Sequence, residues 1–364
     1  MKPWRNWLAR RERWREQLNA GIASVTPTID PAYRERCAEI VERIGNYFDP
    51  EIRGLSNLPA RGPYLLVGNH SGGAYTPDAP IFAAAYLRHW GMGAPLRPLA
   101  HNLLFSIPRL RSFMQRVGAL PASPENAAQA LARGDVILVY PGGDYESQRP
   151  FHESRRVDFG RRKGFIRLAL EQGVPVIPVV CHGANETVVT LTRGEWLAKI
   201  TGLTHVTRTK VFPLRWSVPF GVVPAFVPHW PLPSKITIEV GHPMAWQHFS
   251  PEDARNPELV DALYDDIINV MQQTLDGLYR ERPNPYAPRA GRSVASKHAI
   301  WPALPHRALA LRKRRAPAVH DVAPPAKPIA LSDRRARTPQ RERPQLRRGV
   351  AHVTPLRERG FGPR

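Results

Sequence analysis

His70 stands where an apolar run, YLLVG (64–68), ends in NHSGG, and Asp78 follows just beyond Thr76 and Pro77. An imidazole in that position is able to accept a proton near neutral pH. A second junction of the same kind is VILVY (136–140) followed by PGGDYE. Here Gly142 and Gly143 let the backbone turn its N–H groups outward, and Asp144 and Glu146 follow. Reactive groups of α/β sheets gather where strands end and loops begin, so neighbouring strands would bring both junctions to one cleft. Taken alone, His70 is equally a catalyst and an ordinary loop residue after a strand.

The elements that must position these residues alternate in type. Short apolar runs at 64–68, 96–100, 136–140, 174–180 and 235–240 read as strands. Stretches at 31–47, 78–90, 124–133, 160–172 and 257–280 carry helical patterning. Alternation of this kind predicts an α/β fold, a mostly buried mixed sheet flanked by helices.

Other chemistries lack their residues. Ser71 in GNHSG falls one place late for a nucleophile elbow. No Walker loop, G-x-G-x-x-G, H-E-x-x-H or paired C-x-x-C occurs, so neither a metal nor a bound cofactor is expected. Cys181 ends an apolar run and reads as a buried, inert thiol. With Cys37 it makes only two cysteines in 364 residues, too few for a disulfide framework, and the N-terminus shows no signal-peptide pattern. The expected compartment is a reducing cytoplasm.

The net charge of +21 is unevenly spread. Residues 283–364 hold 19 Lys/Arg against 4 Asp/Glu and 13 of the 39 prolines, with no sustained apolar period. That segment is expected to be a Pro/Arg-rich disordered tail, either attracting polyanions such as anionic lipid or acting as a solvated extension. Nucleic acid is not the expected partner, because no RRM, KH or helix-turn-helix signature accompanies the charge. At the other end, a helix over 1–20 would gather Trp4, Trp7, Leu8, Trp14 and Leu18 on one side, with Arg11 intruding. That basic amphipathic helix either lies in a bilayer interface or docks on its own domain. The domain between the extensions is expected at 21–282. No window carries the ~18 to 20 apolar residues of a membrane span.

Four blocks together carry more than any one of them: NLPARGPYLLVGNHSGG, RVGALPASPENAAQALARGDVILVYPGGDYES, RRKGFIRLALEQGVPVIPV and PLPSKITIEVGHPM. In this order, over about residues 50 to 280, they resemble the glycerolipid and lysophospholipid acyltransferase family. The likeness is greatest to its diacylglycerol-acyltransferase-like and transmembrane-protein-type branch, in which the third block reads PGG. The resemblance implies transfer of a fatty acyl group from a thioester, acyl-CoA or acyl-carrier protein, to a hydroxyl of a lipid acceptor, without an acyl-enzyme and with no cofactor. It implies His70 as general base and a downstream Asp, here Asp78, as its orienting partner. By the same matching, Glu146 and Arg149 of the third block hold the polar end of the acceptor, and Lys163, before the next helix, and Arg109, in the second block, join the substrate site; the alternative for each is a solvated surface charge or a helix pair. N–H groups near Gly72, Gly73, Gly142 and Gly143 would face the thioester oxygen as it gains charge. Pro175 and Pro178 of the fourth block are expected to shape a strand end.

The sequence departs from the family in one spacing. The common pattern leaves four residues between His and Asp, whereas seven separate His70 from Asp78, and Tyr75 occupies the usual acidic place. Asp78 reaches the imidazole only if SGGAYTP folds back. Alternatively Thr76 is a helix N-cap, Pro77 the first helical residue and Asp78 a first-turn carboxylate complementing the dipole. Both roles are compatible.

Residues 211–233, apolar, aromatic and broken by proline, read either as a hydrophobic rim lying on a membrane or as a loop packed over the sheet. The rim reading makes Trp216, Phe220, Phe226 and Trp230 touch lipid. The sequence thus predicts an acyltransferase domain at the cytoplasmic membrane face, with an anionic membrane surface as its partner. The alternative is a catalytically idle protein of the same fold that binds membranes or polyanions.

Overall fold

Strands that are apolar along their whole length must be covered on both faces, and all five residues of β2 (Tyr64–Gly68) are buried. The structure, a computed structural model, describes residues 28–286 apart from 74, 202–210, 218–219, 226, 228–229, 245 and 247. The helix expected at 1–20, Phe226 and the tail from 287 onward lie outside the described residues.

Six further strands flank β2. They are β1 (Glu51–Arg53), β3 (Leu96–Ala100), β4 (Leu120–Pro121), β5 (Val136–Val139), β6 (Val176–His182) and β10 (Thr237–Val240). The sheet order is β1-β10-β6-β2-β5-β3-β4. The strands from β6 to β4 are parallel, and β10 joins β6 antiparallel with β1 parallel beside it, so the sheet is mixed. Three more strands, β7 (Val189–Thr192), β8 (Leu214–Ser217) and β9 (Gly221–Pro224), form a separate antiparallel sheet.

Alternate residues of β2 feed two cores. Leu65 and Val67 enter the core made with α5 (Pro124–Ala132), α7 (Gly164–Gln172) and α9 (Pro257–Glu281). Tyr64 and Leu66 enter the core made with Ile81, Phe82 and Tyr86 of α2 (Asp78–Trp90). On α9, Val260, Leu263, Ile267, Met271, Leu275 and Leu278 recur at three and four residues and are buried as one stripe, which is what holds a 25-residue helix on the sheet. On the opposite face, α1 (Pro31–Gly45) approaches α2, and Arg34 is buried where it donates to the carbonyls of Met92, Ala94, Leu96 and Val117.

Register decides where the two sequence junctions emerge. Val67 of β2 pairs with Val139 of β5, and Gly68 pairs with Val179 of β6. The strand ends are therefore level, and NHSGG leaves the sheet beside Tyr140-Pro141-Gly142. The strands begin and end close to expectation, with β3 and α2 matching it and β6 running two residues later than 174–180. Pro178 consequently lies within β6 rather than at its end, opposite Val67. Of the two readings of 211–233, the loop is corrected, since β8 and β9 pair there as a hairpin. Unexpected from sequence are the short strands β1 and β4 and the helices α3 (Asn102–Ser106), α4 (Pro108–Val117), α6 (Gly143–Ser147) and α8 (Glu195–Ile200). Among the described residues, no helix is long and apolar enough to cross a membrane.

Candidate active site

The turn after β2 is built to fold back. Gly72 and Gly73 take φ of 90° and 68°, values that side-chain-bearing residues rarely adopt, and Thr76 follows at 37°. At Gly72 a Cβ would also stand 2.4 Å from Pro77 Cδ, so only glycine lets the turn close on itself. The longer His-to-Asp connection is absorbed in this way. Asp78 begins α2, and its Oδ2 meets His70 Nδ1 at 3.1 Å. The same oxygen accepts the Ser71 N–H at 2.9 Å, and Oδ1 accepts the Ala79 N–H at 2.9 Å. Pro77 precedes the helix rather than opening it, and no side chain caps it, so Thr76 does not act as a hydrogen-bonding N-cap. Asp78 thus occupies the first turn, where the helix dipole favours a negative charge, and touches the imidazole as well.

A carboxylate accepting at Nδ1 places the imidazole hydrogen there and leaves Nε2 with its lone pair. Among the described residues no protein group bonds Nε2, and the His70 side chain keeps 17% of its surface open. Tyr140, the last residue of VILVY, stacks on the imidazole with ring centroids 4.4 Å apart. Gly68 makes this possible, because a Cβ at that position would lie 2.4 Å from the Tyr140 ring. Asn69 fixes the start of the turn. Its side chain exchanges two hydrogen bonds with the backbone of Cys181, at 2.9 and 2.7 Å, as a neighbouring strand would.

Glu146 and Arg149 lie behind this turn rather than in the cleft in front of it. Glu146 is fully buried on α6, with Oε2 accepting the His70 N–H at 2.9 Å and Oε1 accepting the Asp158 N–H at 3.3 Å. Burial pushes its carboxyl up to about 7, against the pull of Arg149. Arg149, also buried, donates to the His70 carbonyl at 2.9 Å and to Ser71 Oγ at 2.7 Å, and its Nη2 lies 3.6 Å from Glu146 Oε1. Holding the acceptor's polar end, the role implied for both, would need them to face solvent. Ser71 is accordingly engaged, and Cys181 is buried with its thiol pushed well up by desolvation.

The remaining expected residues divide. Gly73 gives its N–H to the Ser147 carbonyl and Gly143 gives its own to the Tyr140 carbonyl, which removes both as donors to a substrate. Among the described residues no hydrogen bond takes the N–H of Gly72 or Gly142, so these two remain. Lys163 pairs with Asp261 of α9 and lies 5.8 Å from the Tyr264 ring centroid, tying the start of α7 to α9. Arg109 is exposed on α4 and makes no hydrogen bond or ion pair to the turn. Tyr140, Gly68 and Asn69 escaped the sequence reading. The signal for Tyr140 was present in the parallel register that sets two strand ends side by side.

The titration of Glu146 has a definite sign. A carboxyl raised from 4.5 to about 7 on folding favours the fold at the acid end of that window and loses this contribution as pH rises through it. Glu146→Gln removes the titration and replaces one acceptor oxygen by an N–H₂ group facing backbone N–H. Calorimetry from pH 4 to 8 should show a flatter dependence of Tm on pH in the variant and a lower stability by about 1–3 kcal/mol. An unchanged slope would contradict the placement.

Residues 49–182 match the family model described as Acyltransferase. An uncharacterised protein of Mycobacterium tuberculosis is 30% identical over 239 residues, which is 66% of this chain and 64% of that protein. The chain thus spans less than two thirds of the mycobacterial relatives' length. The human DGAT1/2-independent enzyme synthesizing storage lipids is 29% identical over 136 residues, covering 37% of this chain and 40% of that protein. The crystal structure of a 1-acyl-sn-glycerophosphate acyltransferase from Thermotoga maritima aligns with TM-score 0.43 and 17% identity, over 67% of this chain and 79% of that one. Residues 49–182, the segment that matches the Acyltransferase model, hold His70, Asp78 and both turns.

Proposed function

We propose that the protein transfers a fatty acyl group from a thioester, acyl-CoA or acyl-carrier protein, to a hydroxyl of a glycerolipid or lysophospholipid. The observation that carries this reading is the His70 imidazole, held at Nδ1 by Asp78 and, among the described residues, unengaged at Nε2. An alcohol is a weak nucleophile until its proton has somewhere to go. As the acceptor oxygen attacks the thioester carbonyl carbon, Nε2 takes that proton, and Asp78 stabilises the imidazolium. The C–S bond then breaks, and the proton passes to the departing thiolate sulfur. Charge developing on the carbonyl oxygen falls to the N–H groups of Gly72 and Gly142. No acyl-enzyme is needed, and the engagement of Ser71 with Arg149 together with the burial of Cys181 supports a direct transfer.

The storage-lipid enzyme among the relatives supports a glycerolipid acceptor. A membrane setting is supported by the small sheet, on whose outer face Trp216 pairs across strands with Val222, both exposed. Phe220, just before β9, is 63% exposed, and Trp230, whose ring meets Tyr47, is 76% exposed. The exposed aromatic residues and the basic composition of the termini support peripheral attachment to an anionic cytoplasmic membrane face.

Purified protein given acyl-CoA or acyl-carrier protein and a panel of lipid hydroxyls is expected to release free thiol. His70→Ala and Asp78→Asn should each lower kcat by ~10²- to 10⁴-fold while leaving the fold and liposome binding intact. Absence of turnover by the wild type with every donor and acceptor, alongside normal liposome binding, would favour the idle membrane-binding alternative. Liposome flotation addresses the rim separately. Trp216→Ser combined with Phe220→Ser and Trp230→Ser should reduce binding at least tenfold, and undiminished binding would remove the rim from the account.

A further inference from the structure

The small antiparallel sheet has opposite chemistry on its two faces. Trp216 and Val222 stand outward as a cross-strand pair. Thr190 and Arg215 are likewise paired, and Ser217, two residues on, shares their side; all three are buried on the inner face. That inner face is unsatisfied. Among the described residues, Arg215 Nε and Nη1, Thr190 Oγ1 and Ser217 Oγ have no hydrogen-bond partner. Arg215 uses only Nη2, which donates to Gln148 Oε1 at 2.5 Å. Among the described residues no carboxylate forms an ion pair with it. Desolvation brings its pKa down to about 10, which still leaves it cationic at neutral pH.

The guanidinium lies against the turn that carries His70. A Cβ on Gly73 would stand 2.7 Å from Arg215 Nη2, so glycine at that position is also what lets the cation reach the turn. A buried cation with no counter-ion is unfavourable, and its natural complement is an anion that arrives with substrate. N–H and O–H donors converging from one face suit the several acceptor oxygens of a phosphate better than a single carbonyl.

We propose that the inner face of the small sheet is a phosphate subsite for the lipid acceptor, with Arg215 as its cation and Thr190 and Ser217 as hydroxyl donors. The subsite lies outside residues 49–182, the matched segment, and the acceptor assignment rests on the function proposed above. The acceptor rather than the thioester is assigned because the same sheet turns an apolar face outward. A lipid's phosphate would then sit behind the strand pair whose outer side chains meet its chains.

Two measurements separate this subsite from the reaction itself. Inorganic phosphate, titrated at constant ionic strength and followed by thermal shift, should stabilise the wild type and His70→Ala alike. Arg215→Gln should bind it at least tenfold more weakly, and Arg215→Lys should recover part of the loss; circular dichroism confirms that the variants are folded. In steady-state assays, Arg215→Gln should raise KM for an acceptor bearing a phosphomonoester roughly 10- to 100-fold. KM for an unphosphorylated monoacylglycerol and for the thioester should move less than threefold. Equal phosphate binding by wild type and folded Arg215→Gln overturns the subsite. A raised KM for the thioester instead overturns the acceptor assignment and gives the subsite to a donor phosphate. Phosphate binding lost in Arg215→Gln, in a protein that turns over no substrate, upholds the subsite and overturns the acyltransferase reading.

Discussion

The site depends on one buried carboxylate. Asp78 is almost completely withdrawn from solvent, and burying a charge there is costly unless hydrogen bonds replace the lost water. Its two oxygens accept the N–H groups of Ser71 and Ala79 and meet His70 Nδ1, while the start of α2 adds the favourable end of a helix dipole. These partners compensate the burial, and they also specify geometry. The carboxylate cannot keep its hydrogen bonds unless the turn from His70 to Pro77 closes over it.

The turn is fixed from its other sides by unrelated interactions. Glu146 takes the His70 N–H and Arg149 takes the His70 carbonyl, so both polar groups of the histidine backbone are held by one buried acid and one buried base. Asn69 binds the turn to β6, and Tyr140 presses on the imidazole face through the space that Gly68 leaves open. A base held this way needs little reorganisation when the proton moves, which is how a scaffold contributes to rate without touching substrate. The length of each strand matters less here than the level ends of β2, β5 and β6, because those ends decide which turns meet.

Much of this was legible in the residues, and the gaps have physical causes. Continuous apolar runs marked β2 and β5, and helical periodicity marked α2 and α9, because a doubly covered sheet leaves a strong pattern. The long spacing between His70 and Asp78 left their meeting undecided, since only backbone conformation shows whether two glycines and Thr76 at positive φ reverse the chain. Glu146 and Arg149 were visible as charged residues in the right block, but residue type does not tell whether a charge faces a cleft or supports a turn from within. The hairpin of β8 and β9 was hidden by Pro213 and Pro224, which break the apolar alternation at its ends. With it went Arg215, whose significance lies wholly in what surrounds it.

The most direct test of the central claim is the tautomer of His70. Nitrogen-15 NMR of protein labelled at histidine, with His70→Ala to assign the signal, reports which ring nitrogen carries hydrogen. A neutral His70 protonated at Nδ1 is expected, with a downfield-shifted N–H proton that disappears in Asp78→Asn. A wild-type His70 protonated at Nε2, or a signal that Asp78→Asn leaves unchanged, would contradict it.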